Sequence, residues 1–223
     1  MDLRGLGDST TGWPDYSAAS VGQDIVALIR KLDISRAFIA GNSMAGAAAV
    51  WASAEIPGSI AGLVLIDPFV RDMPSTMSQR IMMPILGVAV LRPWGPSFWS
   101  MYYGSLYKSA PPADLAAYRT ALVENLKKPG RIEATKAMLF ASKESCEARI
   151  SQVRAPVLVV MGTRDPDFSD PAAEASWVAS HLHGKVLMVE GAGHYPHVEY
   201  ADIVAKAMIE FMRGAQSGDA NRN

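Results

Sequence analysis

Ala37-Phe38-Ile39-Ala40-Gly41-Asn42-Ser43-Met44-Ala45-Gly46-Ala47-Ala48-Ala49 is the stretch that decides the fold. A short apolar run suited to a buried strand meets a turn of small residues centred on a serine, and an alanine-rich, helix-forming segment follows at once. The pattern predicts strand, sharp turn and helix, with Ser43 at the turn. A turn this tight forces its central residue toward unfavourable backbone angles and brings strand and helix together, so only small residues fit around it. Gly41, Ala45 and Gly46 occupy those places. The serine oxygen is lifted clear of the backbone, and the amide of Met44 is aimed, beside a helix N-terminus, at an oxyanion developing on a substrate carbonyl. Such a device makes an acyl-enzyme.

Gly41-Asn42-Ser43-Met44-Ala45 resembles the G-x-S-x-G nucleophile elbow of the α/β-hydrolase superfamily, with alanine for the last glycine. The resemblance extends over nearly the whole chain and implies a mostly parallel sheet flanked by helices, with an inserted helical cap. It implies Ser43 as nucleophile and Met44 N–H as an oxyanion-hole donor. The run Ala155 to Met161 is the strand before Gly162-Thr163-Arg164-Asp165, which is similar to the family's acid-bearing G-x-x-D loop and implies Asp165 as the triad acid. Asp67, at the tip of the preceding strand, and Asp167 are the alternatives. Lys185 to Val189 is the last strand, and Gly191-Ala192-Gly193-His194 resembles the glycine loop that presents the family's catalytic base, which implies His194. A buried carboxylate is needed there because it fixes the histidine tautomer and stabilises the imidazolium. The chain order Ser, acid, His is the family's own.

The opening residues, Met1-Asp2-Leu3-Arg4-Gly5-Leu6-Gly7-Asp8-Ser9, resemble the D-x-R-G-x-G-x-S loop that follows the fourth strand of that superfamily. The resemblance implies an N-terminally truncated core: the three strands, helix and fourth strand that the family carries upstream, with the H-G loop supplying a second oxyanion donor, have no counterpart here. The strand Ala37 to Ala40 is then expected at an uncovered sheet edge, which leaves self-association as a homo-oligomer open and puts activity at issue. No signal peptide or transit sequence is expected before the loop.

Val21, Ile25, Leu28, Ile29 and Leu32 recur at helical spacing behind Ser17, a candidate N-cap, and Ala61 to Ile66 is a continuous apolar strand. From residue 69 to 150 methionines, aromatics and prolines cluster, and Pro112 to Lys127 and Arg131 to Ser142 have helical periodicity. The expected organisation is therefore 1–68 first part of the core, 69–150 helical cap, 151–213 second part of the core with a helix from Ile203 to Met212, and 214–223 a disordered tail. Trp94, Trp99, Met101, Tyr102 and Tyr103 either line an apolar pocket or pack the cap, and together they favour an uncharged, hydrophobic substrate.

With 223 residues, 49% of them hydrophobic, and a formal net charge of −1, the chain suits one sizeable core and offers no basic cluster for nucleic acid or an anionic membrane surface. The apolar run Ile81 to Leu91 contains Pro84 and is too short for a membrane span. The single cysteine, Cys146, excludes an internal disulfide, suits a cytoplasmic location and reads as a small buried hydrophobe. His197 is expected beside the site or at the surface, His181 and His183 near a helix end, and no carboxylate-histidine spacing suggests a metal or other cofactor. The serine at the elbow argues against the aspartate-based alkyl-ester chemistry that this fold also performs. The expectation is hydrolysis of a small hydrophobic carboxylic ester. Carbon-carbon bond hydrolysis, cofactor-free perhydrolysis, a receptor or signalling role and an inactive truncated form are the alternatives.

Overall fold

Continuous apolar runs build four parallel strands, β1 (Ala37–Asn42), β2 (Ile60–Ile66), β3 (Val157–Gly162) and β4 (Lys185–Val189), ordered β1-β2-β3-β4. The computed structural model describes residues 1–72, 87–88 and 90–220. Met82-Met83-Pro84-Ile85-Leu86 and most of the run Ile81 to Leu91 lie outside them. β2 and β3, the central strands, are buried along their whole length, as strands covered on both faces must be. β1 is an edge of this sheet.

The chain divides into two units. The sheet unit holds residues 18–71, 106–111 and 143–223. In it α1 (Ala18–Lys31) turns Val21, Ile25, Val26 and Ile29 inward and packs on α2 (Met44–Glu55), where Gly22 lies so close to the Trp51 ring that a Cβ would collide with it. Val64, Ile66, Leu158 and Val160 share one face of the sheet with Val189, and α7 (Ala201–Ala220) covers it with Val204, Ala207, Met208 and Phe211. Leu63, Leu65, Val157 and Val159 have the opposite parity and are also fully buried, so they point to the other face, where α2 packs on β2 and α6 (Pro171–Leu182) on β3. Asp170 caps α6 by accepting the Ala173 N–H.

The helical unit holds residues 1–17, 72–105 and 112–142. It contains α3 (Gly95–Ser105), α4 (Leu115–Leu126) and α5 (Arg131–Phe140). Arg119 of α4 donates to the Ser100 carbonyl of α3 at 2.9 Å, and Tyr103 and Tyr118 pack ring on ring. Trp94 and Met101 are 60% and 58% exposed, so neither is packing material within this unit. Three boundaries differ from expectation. Met1–Ser17 joins the helical unit rather than the sheet, because Arg131 donates to the Ser9 carbonyl and Thr11 to that of Pro129. Residues 106–111 and 143–150 belong to the sheet unit instead; Cys146, fully buried, donates its thiol to the Ala47 carbonyl of α2. Burial pushes that thiol up to about 12.

The expected disordered tail is corrected as well. α7 runs on through Gly214 to Ala220, with no proline to break its ladder and Ser217 Oγ bonding back to the Arg213 carbonyl. Only residues 221–223 of that tail lie outside the described chain.

Candidate active site

Ser43, Asp67, Asp165 and His194 all follow the carboxyl ends of the parallel strands, the end at which such sheets place their chemistry. Ser43 lies between β1 and α2 at φ 58 and ψ −126, a backbone state that a residue with a Cβ adopts only under constraint. Its N–H donates to the Ile66 carbonyl at 2.9 Å, and its own carbonyl accepts the N–H groups of Gly46 and Phe69. Gly41 has no alternative: a Cβ there would run into the Ala45 carbonyl. Ala45 in place of glycine is accommodated. Met44 is the first residue of α2, so its amide is one of those that a helix N-terminus leaves without an intrahelical acceptor.

Asp165 and His194 are brought together and buried. His194 Nδ1 lies 2.6 Å from Asp165 Oδ2, while the other oxygen of Asp165 accepts the Asp167 N–H at 2.9 Å. Asp167 Oδ2 stands 3.8 Å from the same ring nitrogen. Of the three candidate acids, Asp165 has the direct hydrogen bond. Beside the imidazole lie Phe69, 6.1 Å between ring centres and itself stacked on Phe168, and Tyr195, edge to face at 5.2 Å. His197 is half-buried, its Nδ1 is buried with no partner among the described residues, and burial together with the nearby His194 lowers its affinity for a proton. His181 stacks on Trp177 in the last turn of α6.

Two supporting residues carry no signal in the sequence motifs. Asn42, an unspecified position of the elbow, donates from Nδ2 to both the Ile66 and the His194 carbonyls at 3.1 Å, tying the serine turn to the histidine loop. Glu199 is buried and accepts four backbone N–H groups: Gly193 on Oε1 at 2.6 Å, and Lys108, Ser109 and Ala110 on Oε2 at 3.0, 2.6 and 3.0 Å. His194 N–H in turn donates to the Leu106 carbonyl. Gly193 must be glycine, since a Cβ would strike that same carbonyl. The histidine loop is thus clasped to segment 106–111 by a carboxylate whose partners are anonymous amides.

Asp67, Asp165 and His194 bring potential ligand atoms within 4.8 Å of one another. Their observed pairing is a direct Nδ1 to carboxylate hydrogen bond, which orients an imidazole rather than aiming both groups at a common cation.

Residues 1–207 match the model of the Alpha/beta hydrolase family. The chain belongs to that family. Among curated proteins, this α/β-hydrolase is 24% identical over 221 residues to the dihydrolipoyllysine-residue acetyltransferase component of the acetoin cleaving system of Pseudomonas putida, covering 96% of this chain and 55% of that one. It therefore spans about half the length of that relative. It is 23% identical over 224 residues to 3-oxoadipate enol-lactonase 2 of Acinetobacter baylyi, covering 95% and 77% of the two chains. Among solved structures it superimposes on an esterase from Exiguobacterium antarcticum with a TM-score of 0.78 at 16% identity, over 95% of this chain and 80% of that one. At that identity the likeness shows the fold. No helix among the described residues is long and apolar enough to cross a membrane.

Proposed function

We propose that this α/β-hydrolase is a serine hydrolase that cleaves a small hydrophobic carboxylic ester, open-chain or lactone, through an acyl-enzyme, with Ser43 as nucleophile, Asp165 as acid and His194 as base. The observation that carries the reading is the buried 2.6 Å pair of His194 Nδ1 and Asp165, tied through Asn42 to a serine in a strained strand-to-helix turn. Asp165 holds the imidazole in the tautomer with the proton on Nδ1, leaving Nε2 to take the Ser43 proton as Oγ bonds to the substrate carbonyl carbon. The Met44 N–H stabilises the oxyanion. His194 then returns that proton to the departing alkoxide as the carbonyl re-forms. In the second half a water gives its proton to His194 and its oxygen to the acyl carbon, and Ser43 Oγ leaves with the proton.

The Phe69 ring beside His194, itself stacked on Phe168, suits an apolar acyl or alcohol group. The esterase and enol-lactonase among the similar proteins favour the ester and lactone class.

The test is intact-mass analysis after treatment with a fluorophosphonate. One adduct per chain is expected on the parent and none on Ser43→Ala, His194→Ala or Asp165→Ala at matched exposure, with circular dichroism showing each folded. Label on Ser43→Ala would sink the assignment. A panel of p-nitrophenyl esters and lactones then ranks the substrates.

A further inference from the structure

Asp67 is the one fully buried carboxyl group of the site for which the reaction above has no use. It stands one residue past β2 at φ 42, held there by its N–H to the Val160 carbonyl. Its Oδ1 accepts the Gly162 N–H at 2.9 Å. Its Oδ2 is buried with no donor among the described residues, although the carboxyl group brings an oxygen within 4.8 Å of both an Asp165 carboxylate oxygen and a His194 ring nitrogen.

A buried acceptor without a donor is costly, and two facing carboxylates cannot both stay charged out of water. One proton resolves both problems if it sits on Oδ2 and points at the neighbour. The proton falls to Asp67 because Asp165 already accepts from Asp167 N–H and from His194, whereas Asp67 accepts from Gly162 alone. We propose that Asp67 is a neutral carboxylic acid whose O–H donates to Asp165, a positioning residue that keeps Asp165 the anion of the triad and fixes its orientation toward His194. Burial, then the charges of Asp165 and Asp167, push Asp67 up to about 9. The groups facing it are Asp165 and Asp167 after β3 and His194 after β4. Above that value a second anion faces Asp165 and the donated hydrogen bond is gone.

The kinetic arm of the test rests on the serine-hydrolase reading; the spectroscopic arm does not. In the infrared spectrum of the folded protein at neutral pH, the carbonyl stretch of a protonated buried carboxyl is expected, bleaching as pH rises through about 9 and missing from Asp67→Asn. Absence of that band in the parent overturns the proposal, whatever the activity. For fluorophosphonate labelling of Ser43, Asp67→Ala is expected to slow the rate about tenfold, the equivalent of one hydrogen bond. Asp67→Asn, which restores a donor, is expected to recover most of that loss and to lack the alkaline decline. An Asp67→Asn chain as dead as Asp165→Asn overturns the proposal, because Asp67 would then be an ionised acid of the triad. A parent that shows the band and takes no label upholds the proton on Asp67 and defeats the hydrolase reading instead.

Discussion

Ser43 pays for its exposure with backbone strain. At φ 58 and ψ −126 a Cβ is in conflict with its own peptide, at a cost on the order of 1–3 kcal/mol that glycine does not incur. Ser43→Gly is therefore expected to raise the stability of the folded chain by about 1 kcal/mol while abolishing fluorophosphonate labelling, with urea unfolding measuring the first and mass spectrometry the second. A destabilised Ser43→Gly would mean that the side chain makes contacts worth more than the strain. At this scale the sequence is informative where a motif names both the residue and its backbone. Ser43, Asp165 and His194 lie in short patterns after apolar runs, and the structure places each after a strand end. Asn42 and Glu199 were invisible because their partners are main-chain carbonyls and amides, which every residue has and no alphabet distinguishes.

Among the elements, the histidine loop depends most on distant help. Residues 191–194 follow β4 after Glu190, and the one-turn helix Pro196–Glu199 returns Glu199 to their backbone. Removing that carboxylate strands four N–H donors, so Glu199→Ala is expected to cost about 3 kcal/mol and to slow Ser43 labelling. Hydrogen exchange should quicken selectively at residues 106–111 and 193; unchanged protection there would show that the clasp is dispensable. Glu199→Gln, which keeps an accepting oxygen, should fall between. Element boundaries were readable where polar residues bound an apolar run: β4, expected over Lys185 to Val189, spans those residues. The end of α7 was not. Gly214 and the polar residues after it suggested disorder, but glycine and serine only weaken a helix, and the ladder already running from Ala201 carries through them.

For the whole molecule, buried Asp67 and half-buried His197 set opposing pH limits on stability. Asp67, raised from 3.8 to about 9, keeps its proton in the folded chain after the unfolded chain has lost it. Its contribution is full below 3.8 and drains away as pH climbs toward 9. His197, lowered from 6.5, is held neutral in the fold, so the unfolded chain takes up the proton first and stability falls as pH drops below that value. Urea midpoints collected across pH should show Asp67→Asn flattening the alkaline fall and His197→Gln the acid one; parallel profiles for parent and variants would remove both groups from the account. The apolar strand runs made the parallel sheet legible, whereas the division into units was not, because it turns on contacts such as Arg131 with Ser9 that join residues far apart in the chain. The register of the sheet has a kinetic side. β1 pairs with β2 across one intervening helix, but Leu63 meets Val157 only after the long stretch of chain between β2 and β3 has been closed into a loop. Closing a loop of that length costs entropy before any contact repays it. Ser43 and Asp67 are thus expected in place early, with Asp165 and His194 arriving only when β3 and β4 dock, so that the nucleophile waits for its base at every round of folding.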